Sequence, residues 1–277
     1  MIRLLFALVL SLAGATTMTH AQARQPSHCI AIAQNTPGIE YLHKASFRAP
    51  VPEFSARIRY VAHASFLIQT EDGLSAVTDF TGFVGNVDFI PDVVTMNHAH
   101  STHWTPNPDP AIPHVLPGWG EEFGAGIEHY LDLGGMVVRN VSTDIRSWDG
   151  GVEPKGNSIF VFEVAGLCIG HLGHLHQEPS DAQYAALGRM DVVMAPVDGG
   201  FTLPLENMIN VLNRMKARIV IPMHWFADGS LGRFLAGMEG EFDIVETGGS
   251  EITVSLRDLP DRPTIMVLRP SYLREDE

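Results

Sequence analysis

Four short apolar runs in this chain each stop at a histidine or an aspartate. Val93-Val94-Thr95-Met96 leads into His98-Ala99-His100-Ser101-Thr102-His103, and Leu167 to Gly170 leads into His171-Leu172-Gly173-His174-Leu175-His176. Asp191 to Val197 ends at Asp198, and Ile221-Pro222-Met223 ends at His224. Runs of this length and character read as buried strands. In layered α/β folds ligands bind beyond strand ends, so these polar groups are expected to gather at one site. Alternate residues at a strand end can turn two imidazoles towards one metal ion, and a third residue three positions on can reach the same ion or a neighbour. A solvated polar loop is the competing reading of such a cluster.

Around these runs the pattern is of hairpins first and strand–helix alternation later. Arg57 to Thr70 is strand-like, Glu71-Asp72-Gly73 is a hairpin turn, and Ser75 to Phe80 returns as a second strand with Asp79 near its end. Ile159 to Val164 and Leu167 to Gly170 form another hairpin across Ala165-Gly166. Gly120 to Leu133 is expected to be a helix, and Met136 to Val141 a strand. Ser180-Asp181-Ala182-Gln183 is a capping box opening a short helix. Leu205, Met208, Ile209, Leu212 and Met215 fall at helical spacing, and a further helix is expected near Leu231 to Met238. The order predicts an α/β protein with two sheets enclosed by helices.

The chain ends narrow the setting. Met1-Ile2-Arg3, the apolar stretch Leu4 to Leu12 and the small-residue exit Ala21-Gln22-Ala23 read as a secretory signal peptide; an uncleaved anchor is the alternative. We expect residues 1–23 to be the signal, 24–54 a proline-rich lead-in, and 55–277 one domain, secreted or periplasmic. No later stretch is suited to cross a bilayer, so no stable membrane insertion is expected once the signal is removed. A net charge of -14 argues against nucleic acid and anionic membrane as partners and leaves a small-molecule substrate. Cys29 and Cys168 either pair or leave Cys168 as a buried thiol. Nothing in the pattern reads out an oligomeric state.

Ala62-His63-Ala64-Ser65-Phe66-Leu67-Ile68, Asp79, His98-x-His100-x-Thr102-His103, Gly170-His171-Leu172-Gly173 and Ile221-Pro222-Met223-His224 together resemble the metallo-β-lactamase superfamily. The branch they look most like is the ascorbate-6-phosphate lactonase type of metal-dependent hydrolase, over most of the chain from Arg57 to Trp225. The resemblance implies a four-layer αβ/βα sandwich with one or two metal ions, usually zinc, at the edge between the sheets. It implies His98 and His100 on a first metal, His103 and His224 on a second, and Asp79 orienting a ligand histidine. His63 falls where the branch has a histidine bordering the site, a candidate for substrate contact.

Three departures alter that expectation. Thr102 stands where the family pattern H-x-H-x-D-H has aspartate, and threonine is a poor metal ligand, which leaves it a supporting part. His174 replaces the bridging aspartate, and a neutral imidazole has one acceptor nitrogen where a carboxylate can serve two metals. Asp144 lies near the family's intermediate histidine; an exchange of places would let His98, His100, His174 and Asp144 form a single site. Asp198, where the branch favours glycine, adds a carboxylate at the same mouth.

So few carboxylates favour one ion over two, zinc first, with iron or manganese also suited to histidines plus one carboxylate. The expected activity is metal-dependent hydrolysis of a lactone or ester, then of a phosphodiester, with Asp198, Asp144 or His103 orienting the water. The rival is a non-catalytic metal-binding protein on a degenerate fold; iron-dependent oxygen or thiol chemistry is a third reading. His171 and His176 are expected to be hydrogen-bonded or solvent-facing. Trp104, Trp119 and Trp225 stand beside motif residues and are candidates to wall an apolar pocket.

Overall fold

The computed structural model describes residues 27–31, 46–147, 150–226 and 228–276. The expected signal, residues 1–23, and much of the lead-in lie outside the described residues. A six-stranded sheet runs in the order Glu251–Ser255, Ser55–Ala62, Ser65–Thr70, Ser75–Val77, Val93–Met96, His114–Pro117. An eight-stranded sheet runs Asp243–Glu246, Thr264–Val267, Ile219–Met223, Val192–Pro196, Leu167–His171, Val152–Val164, Met136–Arg146, Tyr130–Asp132. Each is antiparallel in its hairpins and parallel where helices or loops return the chain.

Strand parity explains the layers. Phe66 and Ile68 of the first sheet meet Phe160, Phe162, Val192 and Met194 of the second in a core between the sheets. Their neighbours in sequence, Ile159, Val161, Val193 and Ala195, point outward and are covered by Met208, Leu212, Phe234 and Met238 of the helices Leu205–Met215 and Asp228–Met238. Successive strand residues face opposite ways, so runs such as Val192–Pro196 are apolar at every position because both faces are buried. Over the six-stranded sheet the outer cover includes, among the described residues, loop residues Phe47, Phe80, Val84 and Ile112 and Leu273 of the short strand Leu273–Arg274, which pairs with Gly85–Asn86. No helix among the described residues is long and apolar enough to cross a membrane.

The expected helix over Gly120 to Leu133 is absent: this segment is loop, ending in the strand Tyr130–Asp132. Its glycines account for the difference. Gly124 and Gly126 have φ of 76° and 69°, and a Cβ on Gly120 would collide with the Gly126 carbonyl. The Ser180 capping box forms with both reciprocal bonds and starts the helix Asp181–Leu187.

At the other end, the short helical turn His28–Ala31 is stapled to the eight-stranded sheet by a Cys29–Cys168 disulfide. Buried Glu163 reinforces the staple. It accepts from Ser27 Oγ at 2.5 Å and from Arg139 Nε at 2.8 Å, and faces His28 Nδ1 at 3.0 Å.

Candidate metal centre

Every residue of the site follows a strand. His98 to His103 follow Val93–Met96, His174 follows Leu167–His171, Asp198 follows Val192–Pro196, and His224 follows Ile219–Met223. Asp79 follows Ser75–Val77, and His63 sits on the turn that breaks the expected Arg57 to Thr70 strand into two. His63, Asp79 and His224 have φ of 42°, 41° and 60°, left-handed values that non-glycine residues adopt sparingly and that concentrate at functional sites. The surroundings hold them there. Tyr60 Oη donates to the His63 carbonyl at 2.6 Å, Ser65 Oγ to the Asp79 carbonyl at 2.6 Å, and the His224 N–H to the His63 carbonyl at 2.9 Å.

Ring nitrogens of His63, His100, His103 and His224 all lie within 4.8 Å of one another. Two zinc-bound nitrogens, each at about 2.0–2.1 Å, are at most about 4.2 Å apart, so this set is close to the span of one ion. His174 packs its ring 5.1 Å from His100, 4.8 Å from His103 and 5.0 Å from His224. Both of its ring nitrogens are buried with no hydrogen-bond partner, as is His63 Nε2. Orphaned buried imidazole nitrogens are costly, and their concentration here suits a bound cation and its water.

Two carboxylates fix the tautomers. Asp79, fully buried, faces His103 Nδ1 at 2.5 Å while its other oxygen accepts from Asn97 at 2.8 Å. Asp198 Oδ2 lies 3.0 Å from His224 Nδ1. A carboxylate only accepts, so His103 Nδ1 carries its proton and His103 Nε2 presents a lone pair; Asp198 favours the same form of His224 by charge, although His224 Nδ1 itself is buried without a hydrogen-bond partner. The two Nε2 atoms are 3.1 Å apart. That spacing allows a hydrogen bond between the two rings in the metal-free protein and equally lets both nitrogens turn to one cation; with the unpartnered nitrogens of His174 and His63 beside them, the donor set fits a metal.

The charge environment agrees. Burial, with His224, His103 and His100 alongside, pushes His63 down to about 3. Burial and neighbouring histidines also hold His103 and His174 well below the ordinary imidazole value, and burial lowers His100. Neutral imidazole is the ligand form. Burial raises Asp79 to about 6. Burial would raise Asp198 too, but the neighbouring His224 and hydrogen bonds from Thr202 and Gly200 overcome it and hold the group below the usual carboxylate range.

Two expected ligands are placed elsewhere. His98 turns out of the cluster: its Nδ1 is 2.8 Å from Glu153 Oε1, and its ring stacks on Trp119 at 5.0 Å with Trp104 edge-on at 6.0 Å. Asp144 Oδ1 accepts the Lys155 N–H at 2.9 Å beside a register shift in its strand, so the expected His/Asp exchange does not bring it to the centre. Asp198 is behind His224, accepting the N–H groups of Gly200, Phe201 and Thr202 at 2.9, 2.5 and 3.1 Å, so it orients a ligand and has no free oxygen for water.

Thr102 Oγ1 lies 2.8 Å from His100 Nδ1 and steadies that ring. His171 is buried with Nε2 2.7 Å from the Ala64 carbonyl, and His176 packs beside His174 at 5.1 Å. Sequence reasoning missed Asn157, whose Oδ1 accepts the His174 N–H at 2.8 Å. A Cβ at Gly173, φ 60°, would strike the Asn97 and Asn157 amides, which gives that glycine its place.

Two facing sheets with helices packed outside one, and imidazoles gathered beyond the strand ends, define a metal-binding α/β sandwich. The family profile described as the beta-lactamase superfamily domain matches residues 57–224, and the chain belongs to the metallo-β-lactamase superfamily. A UPF0173 metal-dependent hydrolase of Methanospirillum hungatei is 26% identical over 235 residues, 76% of this chain and 95% of that protein. One from Nanoarchaeum equitans is 23% identical over 184 residues, 61% of this chain and 83% of that protein. Among solved structures, a Zn-dependent hydrolase assignment from Thermotoga maritima superposes with TM-score 0.53 at 24% identity, covering 77% of this chain and 98% of that one. That likeness concerns the fold.

Proposed function

We propose that this protein is an exported hydrolase that uses one metal ion, zinc first, to hydrolyse lactones or esters, with phosphodiesters as the second substrate class. The observation that carries the reading is the His103–His224 pair: both Nδ1 atoms face carboxylates and the Nε2 atoms face each other at 3.1 Å. His100 or His63 supplies the third nitrogen, which leaves the open position a catalytic site needs. When bound, the metal lowers the pKa of its water towards neutrality and polarises the substrate carbonyl.

The chain's own groups supply the rest. Asp79 keeps His103 in the binding tautomer, Asp198 lies 3.0 Å from His224 Nδ1 and favours the same form by charge, and the two carboxylates together match one dication, with no carboxylate in the four-histidine set to hold a second. His174, neutral and without a protein partner, is positioned to hydrogen-bond water or substrate. The Cys29–Cys168 disulfide supports export, since such bonds persist in oxidising compartments.

The test is metal analysis of the mature protein followed by a screen of p-nitrophenyl esters, lactones and bis-p-nitrophenyl phosphate. Turnover of an ester or lactone that disappears on chelation and in His224→Ala is expected. Firmly bound metal with no turnover in any of the three classes would replace this reading with metal binding alone.

A further inference from the structure

Two phenylalanines stand exposed at the mouth of the imidazole cluster, and the cluster's own supports set their positions. Phe201 is 65% and Phe226 62% exposed. Their rings meet edge-on at 5.5 Å, and the Phe226 ring lies 5.3 Å from both His63 and His224. Phe201 donates its backbone N–H to Asp198, the carboxylate whose other oxygen faces His224. Arg146 Nη1 donates to the Gly200 carbonyl at 3.3 Å and braces the same turn. A single exposed apolar side chain is ordinary, but a touching aromatic pair built onto a ligand histidine marks a contact surface.

We propose that Phe201 and Phe226 form the platform on which an apolar acyl or aryl group of the substrate rests, while its scissile carbonyl faces His63 and His224. The inference rests on the hydrolytic reading above and narrows its substrates to hydrophobic esters and lactones. Ring faces reward burial of hydrocarbon and offer phosphate oxygens no hydrogen-bond donor. Complete burial of a methylene is worth about fourfold in binding, so one-sided contact with the rings is worth about twofold per methylene.

The test measures kcat/KM of the zinc-loaded protein on p-nitrophenyl esters from acetate to hexanoate, and benzyl alcohol binding to the metal-free protein by NMR. The wild type is expected to gain about 16-fold from acetate to hexanoate, and Phe201→Ala with Phe226→Ala to reduce that ratio to about twofold. Both side chains are exposed, and zinc content and circular dichroism confirm that the double variant folds. A flat wild-type series, or a slope unchanged in the double variant, overturns the platform. A dimer that the double variant dissolves would instead make the pair an interface between copies, and also overturns it. If no ester is turned over, the hydrolytic reading fails separately, and the platform stands or falls on benzyl alcohol shifts at the His63 and His224 rings, which both proteins keep and which lie 5.3 Å from Phe226, being present in the wild type and lost in the double variant.

Discussion

Asp198→Asn is the sharpest perturbation of the tautomer argument. Asp198 Oδ1 accepts three backbone N–H groups, from Gly200, Phe201 and Thr202, so the amide oxygen of asparagine will take that position. The NH2 group then falls where Oδ2 was, 3.0 Å from His224 Nδ1 and 2.5 Å from the Thr202 hydroxyl. Threonine can rotate its hydroxyl to accept; the imidazole can accept only by moving its proton to Nε2, the atom that faces His103 Nε2. Metal binding must reverse that transfer. Loss of such a supporting partner typically costs 10–100-fold in metal affinity, about 1.4–2.7 kcal/mol. Competition for zinc with a chromophoric chelator measures the change, and an unaltered melting temperature of the metal-free protein shows that the Gly200–Thr202 turn survives. A zinc Kd within about twofold of wild type would refute the argument that Asp198 sets the His224 tautomer.

Two further outcomes concern stability. Unfolded histidine titrates near 6.5, whereas burial holds folded His63 near 3 and His176 near 4. Below pH 6.5 the unfolded chain therefore takes up protons that the folded chain refuses, so the metal-free protein loses stability as the pH falls towards 4. Asp79, raised from 3.8 to about 6, opposes this within that interval as one group against several. Melting temperatures at pH 7.5 and 5.0 should show the fall; a rise would contradict it. Replacing both Cys29 and Cys168 with serine opens a link spanning 139 residues and should cost about 2–5 kcal/mol in denaturant titrations.

Much of the architecture was legible because its strands are buried on both faces and its helices carry strong local signals. Val192–Pro196 announces itself by continuous apolar residues, Leu205–Met215 by its stripe, and Asp181–Leu187 by its capping box. Gly120 to Leu133 misled because apolar spacing there is not packing: its glycines serve close backbone approaches that no periodicity reports. In the site, strand ends located the histidines but not the directions of their rings. His98 is drawn away by Glu153, 55 residues distant, and by Trp119 across the loop. His63 enters the cluster through a left-handed turn held by Tyr60, and Asp198 takes its role from three backbone donors in its own turn. Those are tertiary facts, set by partners that local spacing does not identify.

The central claim is one metal held by the cluster with His98 outside it, and metal stoichiometry tests it most directly. Zinc-loaded, gel-filtered wild type should contain one ion per chain by mass spectrometry of the metal. His98→Ala should keep that ion, and His224→Ala should lose it. Two ions per chain, or loss of the metal in His98→Ala, would contradict the account.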